Sequence, residues 1–87
     1  MWRKKMSDIA EKSVIGSLLM NSECMNDIYG MIEPDMFTSE VYGRIYHEYQ
    51  RAYDRGYTLT LPDLEQKLRC ENFTSDMFLD IVKKCTE

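Results

Sequence analysis

The apolar residues Val41, Tyr42, Ile45, Tyr46, Tyr49, Ala52 and Tyr53 recur at intervals of three and four, the spacing of one face of an α-helix, and the run stops at Gly56. A glycine there suits the left-handed position that ends helices. Thr38 or Ser39 can cap the start of this helix. Pro34 disfavours helical geometry at Glu33, and Pro34-Asp35-Met36-Phe37 reads as a tight turn delivering Met36 and Phe37 to a core. Any fold for this chain has to be built around that third, longest helix.

The flanking segments repeat the same logic. Asp8 and Glu11 have capping-box spacing, so a helix is expected from Asp8 to about Met20, with a buried stripe of Ala10, Val14 and Leu18 beside Ile15 and Leu19. Gly16 lies inside that helix at a cost of about 1 kcal/mol relative to alanine. Either another helix crosses close to the backbone there, or the glycine is simply tolerated. Asn21 and Ser22 supply a break and cap, after which Met25, Ile28, Tyr29 and Ile32 predict a second short helix. Thr60 and Asp63 form another capping box, with Pro62 acceptable in a first turn and Leu61, Leu64 and Leu68 facing inward. Glu71-Asn72-Phe73 breaks that pattern. Thr74 or Ser75 restarts it, with Phe78, Ile81, Val82 and Cys85 as the last stripe and Lys83 and Lys84 favouring the helix C-terminus. The expected fold is all-α, a compact bundle of about five short helices with short connections and no convincing strand. Residues 1–7 read as a loose arm or cloning remnant, and 8–87 as one domain.

Composition excludes several functions. With 87 residues, 44% hydrophobic and 30% charged, the chain holds a single modest core. Its 11 basic against 15 acidic residues, net −4, argue against direct DNA binding, which rests on a basic face. No apolar run approaches the roughly 18 residues of a membrane span and no secretory signal opens the chain, so a cytoplasmic location is expected. Cys24, Cys70 and Cys85 are odd in number and far apart, which indicates reduced, mostly buried thiols rather than a zinc site or disulfide framework.

Chemistry-bearing motifs are missing. No phosphate-cradling Gly-x-x-x-x-Gly-Lys-Ser/Thr loop, no Gly-x-Gly-x-x-Gly turn and no His-Glu-x-x-His pair occurs, so no catalytic, cofactor or metal residue is assigned. His47 with Glu48 or Asp54 can be drawn as an acid–base pair, but no activated nucleophile accompanies it, and a solvated helix-face histidine is the simpler reading. Tyr42, Tyr46, Tyr49, Tyr53 and Tyr57 are the unusual feature. Core packing is favoured for the first four, with hydroxyls reaching the rim. Tyr57, beside the helix stop, is the better candidate for exposure and, with Arg51 and Arg55, for partner contact. Arg44 is the remaining nearby cation, and base stacking on these rings is a minor possibility given the acidic balance.

These pieces in order resemble a known family. Ala10-Glu11-Lys12-Ser13-Val14-Ile15-Gly16-Ser17-Leu18-Leu19, then Ile32-Glu33-Pro34-Asp35-Met36-Phe37, then Arg44-Ile45-Tyr46 and Gly56 with Leu59 and Leu64, are similar to the N-terminal domain of DnaB-type replicative helicases across about residues 9–68. The residues carrying the resemblance are Ala10, Glu11, Ser13, Gly16, Leu18, Pro34, Asp35, Phe37, Ile45, Gly56 and Leu64. The chain departs from the family pattern at Tyr42, where histidine is frequent. It departs again at Thr60 and Asp63, which exchange the Asp and Thr roles of the helix start. After Leu68 the usual Gly-Gly and Tyr-Leu run is absent, with Phe78-Leu79 as a faint echo. A divergent phage or mobile-element helicase would fit.

The resemblance implies a non-catalytic, all-helical head domain that forms a collar on a hexameric ring, contacts other helicase subunits and recruits primase or a loader. ATP-driven unwinding would belong to a parent protein in which a helical hairpin and a RecA-like motor follow. The alternative is a free-standing adaptor, such as a loader, inhibitor or decoy, that mimics the helicase head. A further alternative is the related helical domain at the primase C-terminus, against which the Ala-Glu-x-Ser-Val-Ile-Gly run speaks. Without the hairpin, a monomer or weak dimer is expected.

Overall fold

The computed structural model describes residues 5–70 and 74–86, so the break expected at Glu71-Asn72-Phe73 lies outside the described residues. Among these residues five α-helices follow in order: α1 (Asp8–Met20), α2 (Met25–Ile28), α3 (Glu40–Arg55), α4 (Leu61–Arg69) and α5 (Ser75–Thr86), with short 3₁₀ turns at Ser22–Cys24 and Pro34–Met36. A lone bridge between Tyr29 and Ile32 is the nearest approach to β-structure among the described residues. The all-α expectation holds.

The start of α1 differs from the sequence reading. Ser7, not Asp8, is the cap, its Oγ accepting from the Ala10 amide at 3.2 Å. Of the seven residues expected as an arm, three are therefore bound to the fold. Ser7 caps, the Met6 amide donates to the Met36 carbonyl at 3.0 Å, and Lys5 Nζ donates to the Asp35 carbonyl. Glu11 does not reach back to its own helix start. Its buried carboxylate instead accepts from the Thr38 amide (3.0 Å), the Thr38 hydroxyl (2.5 Å) and the Ser39 amide (3.2 Å). Ser39 in turn caps α3 through the Tyr42 amide. Glu11 thus places a negative charge at the N-terminus of α3, where the helix dipole favours it.

The second helix is shorter than expected. Tyr29 leaves helical geometry at φ −60°, ψ 128° and Gly30 follows at φ 87°, the pattern of a type II turn, which needs a positive φ at its third residue. The chain turns after Ile28, yet Ile28 and Ile32 both still pack against the core. The turn at Pro34 delivers Phe37, which is buried with its ring 5.3 Å from that of Tyr46, while Met36 is only half-buried. Gly56 ends α3 as expected, at φ 76°. Its amide donates to Tyr53 and the Tyr57 amide to Ala52, the paired bonds of a Schellman motif. Thr60 caps α4 and its hydroxyl donates to the Asp63 carboxylate at 2.8 Å, and Thr74 caps α5 through the Met77 amide.

One core joins these elements: Ile15, Leu18 and Leu19 from α1, Met25, Phe37, then Tyr42, Ile45, Tyr46, Tyr49 and Ala52 from α3, with Leu59, Leu64, Leu68, Phe78 and Ile81. The Cα radius of gyration, 12.2 Å, matches the roughly 12 Å of a close-packed domain of this length. The most extensive helix pairing is α1 against α5. It settles the choice at Gly16, because a Cβ there would overlap the backbone carbonyl oxygen of Cys85. The two helices meet backbone to side-chain-free backbone.

Two outcomes follow. Gly16→Ala gains about 1 kcal/mol of helix propensity but pushes α5 away, so a net loss of about 1–2 kcal/mol is expected, read as a lower urea midpoint. For Glu11, burial pushes the pKa up, but the Thr38 hydroxyl and the Thr38 and Ser39 amides outweigh it and hold the carboxyl below its usual value. The stability this group contributes is present above the unfolded carboxyl pKa and is lost as pH falls through the lower folded one. Glu11→Gln turns an amide donor toward backbone donors and should cost about 2 kcal/mol at neutral pH. The deficit should shrink in acid, when unfolding midpoints of the two proteins are compared from pH 7 downward.

Candidate functional site

The expected acid–base pairing does not assemble. His47 is exposed, whereas Glu48 is buried against Lys67, whose Nζ lies 3.9 Å from Oε1, too far for a hydrogen bond. Asp54 accepts from the Tyr29 hydroxyl. Both carboxylates are engaged away from His47. Among the described residues no group of three His, Cys, Asp or Glu side chains comes together as a metal site, and no helix is long and apolar enough to cross a membrane.

The tyrosines divide into two sets. Tyr42, Tyr46 and Tyr49 are buried, and burial pushes each phenol up to about 12. Tyr46 satisfies its hydroxyl by donating to the Ile32 carbonyl at 2.6 Å, which ties the segment after α2 to α3. Tyr53 corrects the sequence reading: it is 41% exposed and its ring lies 4.6 Å from that of Tyr29 at an interplanar angle of 33°. The hydrogen bond to Asp54, then burial and the nearby charges of Asp54 and Glu33, raise the Tyr29 pKa.

Arg51, Arg55 and Tyr57, the residues singled out for partner contact, are all exposed, but they do not form one patch. Tyr53 is two residues from each arginine, so the arginines sit roughly 200° around α3 from it. Tyr57 shares the Tyr53 side, where the two line a small cavity with Met25, Tyr49 and Leu59.

A further surface was not anticipated. Between α4 and α5 runs a groove of about 800 Å³ lined by Leu61, Pro62, Phe78, Leu79 and Val82, with Glu65 and Arg69 at its side. Leu61, expected inside, is 38% exposed there, and Leu79 is 60% exposed. Cys70, expected to be buried, is exposed at the same groove. The sequence carried no decisive signal for it, because adjacent apolar residues on a helix can both be buried, as Leu18-Leu19 and Ile45-Tyr46 are here, whereas Leu79 beside the buried Phe78 is not.

The residues carrying the family resemblance are mostly architectural. Glu11, Gly16, Leu18, Phe37, Ile45 and Leu64 are buried, Gly56 ends α3, and Pro34 opens the 3₁₀ turn. Ala10 is half-buried. Ser13 is exposed beside Val14, Ser17, Cys24, Asp27 and Ile28, and Asp35 is exposed, its carbonyl holding Lys5.

Among the described residues, five helices packed on one core, with Glu11 bonded at the start of α3 and Tyr46 tied to Ile32, define a small all-helical domain. The family model of the DnaB-like helicase N terminal domain matches residues 4–86, and the chain belongs to that family. The match runs through α5, beyond the stretch where the sequence resemblance was clear. It corresponds to the non-catalytic part of the helicase. Comparison with curated proteins gives no significant match.

The thiols give a direct check on these surfaces. Cys70 is exposed, while Cys24 and Cys85 are half-buried and burial pushes the Cys85 thiol up. Thiolate is the reacting species. Titration of the native protein with Ellman's reagent should therefore show one fast thiol, removed by Cys70→Ser, and two slow ones. Three equal rates would contradict the packing of α5 on α1.

Proposed function

We propose that this domain is a scaffolding and partner-docking part of a replicative DNA helicase, working in the cytoplasm against other helicase subunits and a primase or helicase loader. The observation that carries the reading is the family match over residues 4–86. It is supported by the use made of the titratable side chains: Glu11 and Asp63 join helix caps, and Glu48 is buried against Lys67. ATP-dependent unwinding is a property of the helicase as a whole, to which this domain contributes binding energy and position. The net charge of −4 disfavours a direct grip on the phosphate backbone.

The test is a binding assay with the purified 87-residue protein, labelled at Cys70, against primase, helicase loader and helicase subunits from its own replication system. Saturable association with at least one of them is expected, together with no phosphate release from ATP. Failure to bind all three, or ATP turnover proportional to protein that survives repurification, would overturn the proposal.

A further inference from the structure

We infer that the face formed by the Ser22–Ile28 segment, the turn at Gly30 and the C-terminal end of α3 is a receptor for a basic amphipathic segment of a partner protein. The inference rests on the partner-docking reading above, and it adds where one partner sits and what chemistry it brings.

Charge is the first argument. From Ser13 to Gly43 the chain has five acidic residues and no lysine, arginine or histidine. That unbalanced stretch supplies Glu23 and Glu33 to this face, and α3 adds Asp54. The C-terminus of α3, the negative end of a 16-residue helix, lies at the same place. Arg55 lies on the opposite side of α3 from Tyr53, and Arg51, three residues before Asp54, borders only the Asp54 edge of the face. A phosphate backbone or an anionic membrane would be repelled here, whereas lysine and arginine side chains would be drawn in.

Apolar surface is the second. Tyr29 and Tyr53 are stacked and both about 40% exposed, Tyr57 is similarly exposed, and Met31 beside Gly30 is 71% exposed. Tyrosine rings accept cations on their faces and apolar groups at their edges, and methionine adapts to varied shapes. The hydrogen bond from the Tyr29 hydroxyl to Asp54 holds the ring pair before any partner arrives, so little ordering remains to be done on binding. Beside the rings opens a cavity of about 120 Å³, enough for a single apolar side chain. Acidic rim, fixed aromatic platform and one small pocket together match an amphipathic helix that places an apolar anchor in the pocket and cations around it.

The probe is a fluorescein-labelled 16-residue peptide of leucine and lysine with helical periodicity, titrated with the whole protein and followed by anisotropy. Saturable binding is expected that weakens as salt rises. The double variant Glu23→Lys, Glu33→Lys should weaken it at least about tenfold, the scale of one or two lost charge contacts. Arg51→Glu with Arg55→Glu should leave it unchanged or tighter. Circular dichroism of each variant checks the fold, and both acidic positions lie outside the hydrophobic core. The inference is overturned if the peptide does not bind, if both double variants weaken it equally, or if labelled oligothymidylate binds this face more tightly than the peptide. Should primase or loader bind while the peptide does not, this inference fails alone. Peptide binding without any replication partner would sink the helicase-docking reading instead.

Discussion

The carboxylate of Glu11 is the constraint around which the domain is arranged. A fully buried glutamate survives only if its charge is compensated, and here three donors from Thr38 and Ser39 surround it. Those donors become available only when the Pro34–Met36 turn has brought the chain back beside the first turn of α1. One side chain therefore fixes the position of α1, the path through Pro34 and the start of α3 together. Because the same bonds hold the residues that open α3, the longest helix is registered against the first at its N-terminus.

From that junction the rest of the packing follows. With α1 pinned at Glu11, Ile15 and Leu18 enter the shared core, and Gly16, little more than one turn further along, presents bare backbone to α5. Tyr42 from α3 reaches Cys85 from α5, so the three helices share one seam. Tyrosine in a core brings a hydroxyl that has to be satisfied, and Tyr46 meets this by bonding the Ile32 carbonyl, a group left free where α2 gives way to the turn at Gly30. The polar tip of a core residue thus anchors the least regular part of the chain.

Most of the helices were legible because their signals are local. Capping residues, apolar periodicity and Gly56 place α1, α3, α4 and α5, and Thr60 caps α4 as predicted, with the Asp63 carboxylate accepting from the Thr60 hydroxyl. What could not be read were partners distant in sequence. Asp8 and Glu11 have the spacing of a capping box, but spacing does not reveal that Thr38 and Ser39 compete for the same carboxylate. The second helix was extended to Ile32 because Met25, Ile28, Tyr29 and Ile32 keep helical spacing, and a type II turn at Gly30 delivers Ile28 and Ile32 to the core equally well. Tyr53 and Leu61 continue apolar stripes at helix ends, where the core has already run out, and so emerge on the surface. The contact residues drawn from the sequence suffered the same limit: Arg51, Arg55 and Tyr57 are near in sequence and exposed, yet they belong to different sides of α3.

Those overruns at the ends of stripes bear on function. A domain of this size buries only about 60–65% of the surface of its unfolded chain, so apolar residues that overshoot the core remain outside. Ile9 and Met20 do so at the two ends of α1, while others come together in pairs, Leu61 with Leu79 in the α4–α5 groove and Tyr53 with Tyr29 beside α2. The two places differ in charge. The groove carries Glu65 and Arg69 and is close to neutral, which suits contact with a similarly neutral helical surface, whereas the tyrosine face is acidic and selects for cations. For the docking role proposed above, such a difference would keep partners apart, because apolar area provides affinity while charge sign sets which partner approaches which face.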